Sequence, residues 1–154
     1  MDATHATLTP QQPSPLTASL EDYLETIKML IDEDPHGHAH TSTIAKRLNV
    51  KMPSVTNALG VLHRNGYIHY DTNYPVTLTP LGEHTAKRIL RRHHVLSNFL
   101  EDILQMKTEE ASELACKIEH VISDNFILRL ELLSSAITSS DNATELLKRM
   151  KQLN

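Results

Sequence analysis

The chain has 154 residues, enough for one medium domain or two small ones that share a core. Glycine is scarce and tryptophan is absent, which favours a globular, largely helical protein over a disordered one. No apolar run approaches the roughly 20 residues of a membrane span, and the first residues lack the features of a secretory signal. The single cysteine excludes an intrachain disulfide and favours a reducing compartment, so we expect a cytoplasmic protein with no membrane partner.

The net charge of −4 argues at first against a nucleic-acid partner. The charges are unevenly distributed, however. No acidic residue occurs between Asp34 and Asp71, and this stretch carries four Lys or Arg side chains and five histidines. A basic segment inside an acidic protein is typical of a phosphate-binding face, although so few cations in a segment of this length also arise by chance.

The N-terminal residues predict a leader followed by a helix. Residues 1–16 are rich in Pro, Thr and Gln and predict a flexible segment. Apolar residues then recur at helical spacing, and Ser19 with Asp22 has the form of a capping box. The first helix is therefore expected to begin near Ser19 and to end at Pro35.

The next elements follow the order of a winged helix-turn-helix. A short helix is predicted over residues 41–48, and Asn49 stands where a tight turn needs a residue that tolerates left-handed geometry. Pro53 suits the first turn of a third helix. Two short alternating runs around residues 72–74 predict a β-hairpin. The alternative is a small α+β domain of unrelated purpose.

The C-terminal half is predicted to be helical. Thr79 and Pro80 start a long helix that is expected to reach about Gln105, and further helices are predicted over residues 108–125, 126–137 and 144–153. We therefore predict a mainly α fold with two domains, 17–80 and 81–154.

The third helix would present its N-terminal side chains to the major groove of DNA. Short polar side chains there can reach base edges or phosphates, and flanking cations can contact phosphate. Plain solvent exposure and helix capping are the alternative for the short polar residues. The candidate DNA-binding residues are Lys51, Ser54, Thr56, Asn57, Arg64 and Tyr74.

The long helix and the helix after Asn125 carry more apolar residues than one small winged domain needs to cover. A homodimer interface is the expected use, because a single winged helix binds weakly and dimers read palindromic half-sites of double-stranded DNA.

The most specific chemistry is the run Cys116, Glu119 and His120. At i, i+3 and i+4 these side chains share one helix face, and thiolate, carboxylate and imidazole together suit a first-row divalent metal. The apolar stripe of this helix, which includes Leu114 and Val121, is expected on the opposite face, so that the three side chains turn away from the local core.

Two other helices offer further donors. Asp22 and Glu25 share a polar face of the first helix. His93 lies within an apolar stripe and needs a partner, because an unsatisfied buried polar group costs roughly 1–3 kcal/mol. Each residue also has an ordinary reading as a helix cap, an exposed acid, a buried thiol or a hydrogen-bonded core histidine.

The segment His36, His38 and His40 is a separate candidate for a metal site. A solvated loop is the simpler interpretation of these three histidines.

Several motifs together resemble the diphtheria-toxin-repressor family. They run from about Leu16 to Ile137, and the Cys-x-x-Glu-His element is the most specific. The matching segments are LEDYLETI (20–27), IAKRLNV (44–50), PSVT (53–56), LTPLG (78–82), RH (92–93) and ACKIEHVIS (115–123).

This resemblance implies a dimeric repressor that binds operator DNA when loaded with Fe(II) or Mn(II) and controls metal-uptake genes. It implies a winged helix-turn-helix DNA-binding domain over 17–80 and a metal-binding and dimerisation domain over 81–154. The ligand roles that it implies fall on Asp22, Glu25, His93, Cys116, Glu119 and His120.

The ligand set is a hybrid within that family. Aspartate at Asp22 is typical of manganese regulators, whereas cysteine at Cys116 is typical of iron regulators, and the combination resembles the TroR-like branch. Three carboxylates favour Mn(II), while the thiolate favours Zn(II) or Fe(II). We expect Mn(II), with Fe(II) or Zn(II) as alternatives.

Two further departures concern the rest of the pattern. Ser97 and Ser112 replace a glutamate and a histidine of the iron-type ancillary site, which should be altered or weakened here. The chain resembles the short, two-domain class of the family.

Three other functions are alternatives to a metal-dependent repressor. A metal-dependent hydrolase would need a general base in a cleft, and nothing beyond the ligands supplies one, so we do not expect an enzyme. A metal-independent winged-helix regulator would bind DNA regardless of chelator. A protein-interaction module would show no salt-dependent affinity for DNA.

Overall fold

A computed structural model describes residues 16–140 and 143–152 of the chain. The predicted leader lies outside the described residues except for Leu16, which packs against the N-terminal core. No helix in these ranges is long and apolar enough to cross a membrane.

The first helix, α1 (Ala18–Glu33), begins near Ser19 as predicted, but its N-cap is Thr17, two residues before the Ser19 of the capping-box pattern. Thr17 has extended backbone geometry, and its hydroxyl accepts a hydrogen bond from the Leu20 amide at 3.4 Å. Ser19 therefore lies inside the first turn, and Thr17 satisfies one of the free amides at the helix start.

The helix-turn-helix follows the sequence prediction. Helix α2 (Thr41–Arg47) ends in a turn where Asn49 has a φ of 53°, and α3 (Met52–Arg64) starts with proline in its first turn. The Val50 amide donates to the Ala45 carbonyl at 3.0 Å, which satisfies a carbonyl at the end of α2.

The hairpin forms a small wing. Strands β1 (Ile68–His69) and β2 (Thr77–Leu78) are antiparallel, with Ile68 opposite Leu78. Ala39, in the loop before α2, adds an isolated antiparallel bridge to Val76. The loop between α1 and α2 is thus tied to the wing by backbone hydrogen bonds.

The wing also lies close to the start of the long helix. A Cβ placed on Gly82 would be 1.8 Å from the Tyr67 carbonyl oxygen. Only glycine therefore allows α4 to begin against the backbone that enters the wing.

The C-terminal helices differ from prediction in their ends. Helix α4 (Pro80–Asn98) continues as a π-helical turn (Phe99–Ile103), and Gln105 then has a φ of 58°. Helix α5 (Thr108–Ile118) stops well before residue 125, because Ser123 caps the next helix and accepts from the Phe126 amide at 3.2 Å. The last two helices are α6 (Asp124–Thr138) and α7 (Ala143–Lys151).

Two apolar clusters form the core. The larger one joins α1, α2, α3 and the wing to the first half of α4. The smaller one joins the second half of α4 to α5 and α6. Helix α4 belongs to both clusters and connects the two halves of the molecule.

Candidate metal centre

Donor side chains from both halves of the molecule meet between α1, α4 and the end of α5. Among the described residues, two groups have ligand atoms that all lie within 4.8 Å of one another. The first group is Asp22, Cys116 and Glu119, and the second is Glu25, His93 and Glu119. Glu119 belongs to both groups and is the centre of the arrangement.

Glu119 is fully buried, with 0% of its surface exposed. This corrects the prediction that the donor face of α5 turns away from the core. The face that packs inward carries the small side chains Ala111 and Ala115, whereas Leu114 and Val121 are 36% and 82% exposed. Small residues allow α5 to approach α4 closely, and the side chain one turn beyond Ala115 is therefore buried as well.

The two carboxylate oxygens of Glu119 point to different histidines. Oε2 lies 2.8 Å from Nδ1 of His93, and Oε1 lies 3.5 Å from Nε2 of His120. One carboxylate thus links α4 to the segment that follows α5.

His120 is held between two acids of α1. Its Nδ1 hydrogen-bonds Oε2 of Glu21 at 2.7 Å, and its Nε2 lies 2.8 Å from Oδ1 of Asp22. Metal-bound histidines almost always hydrogen-bond a carboxylate or carbonyl through their other nitrogen. Sequence reasoning missed Glu21, although its position next to Asp22 was an available signal.

Two buried atoms in this cluster have no hydrogen-bond partner among the described residues: Oε1 of Glu119 and Nε2 of His120. Nε2 is close to Asp22, but the two atoms are not aligned for a hydrogen bond. Each unsatisfied atom costs about 1–3 kcal/mol, and a cation between them would satisfy both.

The spacing of these atoms also fits a metal ion. With bonds of about 2.1 Å, neighbouring ligand atoms lie about 3.0 Å apart in an octahedron and about 3.4 Å apart in a tetrahedron. The distances from Nε2 of His120 to Asp22 and Glu119 are 2.8 and 3.5 Å. The donor set and its geometry therefore fit a divalent metal.

The charges of the acids are poorly compensated. Burial, reinforced by the charge of Glu119, raises the pKa of Glu25 from 4.5 to about 7. Burial also raises the pKa of Asp22, although His120 partly opposes the shift. Among the described residues no Lys or Arg forms an ion pair with Asp22, Glu25 or Glu119, and a divalent cation would supply positive charge there.

The pKa values of the two histidines are raised as well, which favours their positively charged form. The hydrogen bond to Glu119 raises the pKa of His93 above its usual range. Burial lowers the pKa of His120, but the hydrogen bond to Glu21 and the neighbouring acids raise it overall. In the absence of metal, protons on the histidines can replace part of the missing positive charge.

Cys116 is exposed, so of the two sequence-based alternatives burial is wrong. Desolvation of its sulfur and the charges of Glu119 and Asp22 raise the pKa of the thiol. A bound cation would have to displace the thiol proton.

The second nitrogen of His93 faces the two serines that replace the iron-type ligands. Nε2 lies 3.3 Å from Oγ of Ser97 and 3.5 Å from Oγ of Ser112. Neutral hydroxyls are weaker ligands than glutamate and histidine, and the weakening of the ancillary site stays a prediction.

A cavity of about 1090 Å³ opens onto this cluster, and its walls include Glu25, His93 and Cys116. It lies between α1, the end of α2, α4 and α5. These three donors are therefore reachable by an ion from solvent.

The six candidate DNA-binding residues are all exposed, in α3, beside it or in the wing. Lys51 is the N-cap of α3, and Tyr74 at the tip of the wing is 71% exposed. Thr56 donates its hydroxyl to the Met52 carbonyl at 3.2 Å, so part of its polarity is used within the helix.

Comparison with known proteins identifies the family. Residues 15–74 match the N-terminal DNA-binding domain of iron-dependent repressors, and residues 79–142 match their metal-binding and dimerisation domain. The chain belongs to the iron-dependent repressor family. This repressor is therefore a metal-dependent, DNA-binding transcriptional regulator of metal homeostasis, and not an enzyme.

Individual relatives agree with this assignment. An HTH-type transcriptional regulator of Methanocaldococcus jannaschii is 41% identical over 117 residues, which cover 76% of the repressor and 93% of that protein. The regulator MntR of Bacillus pumilus is 36% identical over 138 residues, which cover 90% of the repressor and 94% of that MntR.

Solved structures share the fold. The manganese regulator SloR has a TM-score of 0.66 and 29% identity, with 78% of the repressor and 55% of SloR covered. ScaR with bound Zn²⁺ has a TM-score of 0.63 and 30% identity, with 75% and 53% covered. The chain thus spans about half the length of these solved neighbours.

Proposed function

We propose that this repressor is activated by Mn(II), binds palindromic operator DNA as a homodimer in the cytoplasm, and controls genes for metal uptake. The observation that carries the proposal is the cluster of donors from α1, α4 and α5 around Oε1 of Glu119 and Nε2 of His120, two buried atoms that have no hydrogen-bond partner in the described part of the chain. The relatives named MntR and the manganese regulator SloR support manganese as the metal.

The donor set favours manganese by its oxygen content. Asp22, Glu25 and Glu119 would supply hard carboxylate oxygens, and His93 and His120 would complete the site. Cys116 is the only soft donor, and its raised pKa works against the thiolate that Zn(II) would prefer.

Occupancy of this site would change how α1 sits against α4 and α5. A bound divalent cation supplies the positive charge that offsets the three acids. Asp22 and Glu25 extend from the DNA-binding half, while Cys116, Glu119 and His120 extend from the other half. Once their repulsion is relieved, these residues hold α1 in one position, and the population shifts towards the spacing that DNA requires.

The DNA-binding face would be the start of α3 together with the wing. Lys51, Arg64 and Tyr74 would contact the phosphate backbone, and Ser54, Thr56 and Asn57 would reach base edges. All six side chains are exposed.

The dimer interface would lie on α6. Leu128, Leu132 and Leu133 are 51%, 65% and 49% exposed, which is unusual for leucines on one short helix. Other apolar residues of the long helix and of α6, namely Leu96, Ile127 and Leu130, are buried within the chain instead.

The test measures DNA binding by chelator-treated protein. The readout is the fluorescence anisotropy of a labelled duplex from a metal-transporter promoter. Mn(II), anaerobic Fe(II) and Zn(II) are titrated separately. Mn(II) should tighten binding about 100-fold, near the upper end of typical allosteric coupling. Mg(II) at the same ionic strength is the control for simple screening of charge.

The variant Cys116→Glu tests the choice of metal. Replacing the soft donor by a carboxylate should keep the Mn(II) response and weaken activation by Zn(II) about tenfold. DNA binding that ignores both metal and chelator would contradict the proposed switch. Activation by Zn(II) or Fe(II) alone would support the proposed switch but contradict the assignment of Mn(II) as the activating metal.

A further inference from the structure

The three histidines of the loop between α1 and α2 form a cluster that the candidate metal centre does not use. The ring centres of His36 and His38 are 5.8 Å apart, and those of His38 and His40 are 5.4 Å apart. His36 and His40 are exposed and His38 is half-buried. The cluster belongs to the DNA-binding half, between its first two helices.

Backbone geometry places His38 and His40 on one side of the chain. Ala39 between them is 2% exposed and exchanges hydrogen bonds with Val76 of the wing at 2.9 and 2.8 Å. Because alternate side chains of an extended segment point to opposite faces, Ala39 enters the core while its two neighbours point outward together. Gly37, with a φ of 71°, turns the chain so that His36 joins them.

Asp34 orients the middle histidine. Its Oδ2 accepts hydrogen bonds from Nδ1 of His38 at 2.6 Å and from the backbone amides of His36 and His38 at 3.1 and 3.2 Å. Desolvation disfavours the carboxylate, but these hydrogen bonds outweigh it and lower the pKa of Asp34. No hydrogen bond to Nε2 of His38 occurs among residues 16–140 and 143–152, so the pair has the carboxylate–histidine arrangement that commonly supports a bound metal.

The other two rings are uncommitted. Within the described part of the chain, neither the His36 nor the His40 ring makes a hydrogen bond, and His40 does not use its side chain to cap α2. Both rings are therefore available to an external ligand.

The ring separations are close to those of imidazoles that share one ion. A Zn–N bond of about 2.0–2.1 Å puts the ring centre about 3.2 Å from the metal, so two rings at a tetrahedral angle are about 5 Å apart. The observed separations are 5.4 and 5.8 Å. The three histidines are not among the groups of described residues whose ligand atoms already lie within 4.8 Å of one another, so the exposed rings of His36 and His40 would have to rotate towards Nε2 of His38 to share an ion.

From this geometry we infer that His36, His38 and His40 form a second metal site, selective for Zn(II) over Mn(II). Three imidazoles suit late first-row divalent metals, whereas Mn(II) prefers oxygen donors. Asp34 acts as a positioning residue through His38. A bound ion would fix the loop that Ala39 ties to the wing.

The test uses the full chain with the central site weakened by Glu119→Ala, and zinc bound at the loop is identified as the part that is lost when the loop histidines are replaced. Zn(II) binding is measured by calorimetry, and Co(II) is used as a spectroscopic probe of tetrahedral coordination. We expect one equivalent of Zn(II), with Mn(II) binding at least about 100-fold weaker. Adding His36→Ala, His38→Ala and His40→Ala should abolish this equivalent and the Co(II) spectrum.

Two matched variants separate metal binding from general effects. His84→Ala removes an exposed histidine of α4 and should leave the zinc equivalent intact. Asp34→Asn should weaken zinc binding about 10–100-fold and alter the Co(II) spectrum. The inference is overturned if the triple variant binds as much zinc as its parent, or if the loop binds Mn(II) as tightly as Zn(II). Neither result bears on metal-activated DNA binding through Glu119.

Discussion

The central donor cluster and the histidine loop use the same device in opposite surroundings. In each, a carboxylate holds Nδ1 of a histidine: Glu21 holds that of His120 at 2.7 Å, and Asp34 holds that of His38 at 2.6 Å. The central cluster surrounds its histidines with buried acids, whereas the loop leaves its histidines near solvent and near one another. The donors that surround an oriented imidazole therefore determine which metal the site prefers.

Because their burial differs, a bound cation would stabilise the two regions to different extents. Glu119 is fully buried and leaves an oxygen without a hydrogen bond, so the metal-free centre is under electrostatic strain. The loop histidines can be solvated by water when no metal is present. We therefore expect the central cluster to couple metal binding to conformation more strongly than the loop does.

The largest expected effect is that of Glu119→Ala. Because Glu119 belongs to both donor groups, its loss should abolish the roughly 100-fold tightening of DNA binding that Mn(II) is expected to cause. Anisotropy with labelled operator DNA measures it. Glu110→Ala, an exposed acid on the same helix, is the control and should behave like the parent. If Mn(II) tightened DNA binding by Glu119→Ala to within tenfold of its effect on the parent, the central role of Glu119 would be contradicted.

The pH dependence of the central site comes next in size. Metal binding must displace the Cys116 proton and, below about pH 7, the Glu25 proton as well. Protons on the ligands His93 and His120, whose pKa values are also raised, must leave as well. Mn(II) affinity should therefore fall by at least about 100-fold per pH unit below pH 7, since each displaced proton contributes about tenfold. Calorimetry in buffers of different ionisation enthalpy counts the protons released. Affinity that changes less than tenfold between pH 7 and pH 6 would contradict these assignments.

The same shift affects the stability of the metal-free protein. The pKa of Glu25 is raised from 4.5 to about 7 in the folded state, so the folded state binds the proton more tightly than the unfolded chain. Its contribution to the free energy of unfolding is thus complete below about pH 4.5 and is lost as the pH rises through about 7. Glu25→Gln should remove this loss in urea unfolding curves, and a slope that persists in that variant would assign it to other groups.

The smallest of these effects is expected for Glu21→Gln. The variant removes the acid that orients His120 and should weaken Mn(II) binding about 10–100-fold without unfolding the protein. Glu33→Gln removes the same charge from α1 but breaks only a surface ion pair with Arg47, and it should change Mn(II) affinity little. Equal Mn(II) affinities for the two variants would show that Glu21 does not position the ligand.

Sequence patterns were sufficient for local structure. Spacing and motifs predict the order of helices, turn and hairpin, the left-handed turn at Asn49 and the family. The structure confirms the first two, and the comparisons confirm the family. Errors fell at helix ends: Thr17 instead of Ser19 caps α1, and α5 stops at Ile118. Competing caps such as Ser123 decide these ends, and periodicity alone does not rank them.

The sequence by itself determined which residue types this protein offers to a metal and to DNA, because those depend on composition and spacing along single helices. Only the tertiary structure decided which face of α5 is buried, since that depends on how closely Ala111 and Ala115 let it approach α4. It also decided that Glu21 reaches His120 across 99 positions of the chain. Helical spacing specifies neighbours on one element, whereas contacts between elements depend on how the side chains of both pack together.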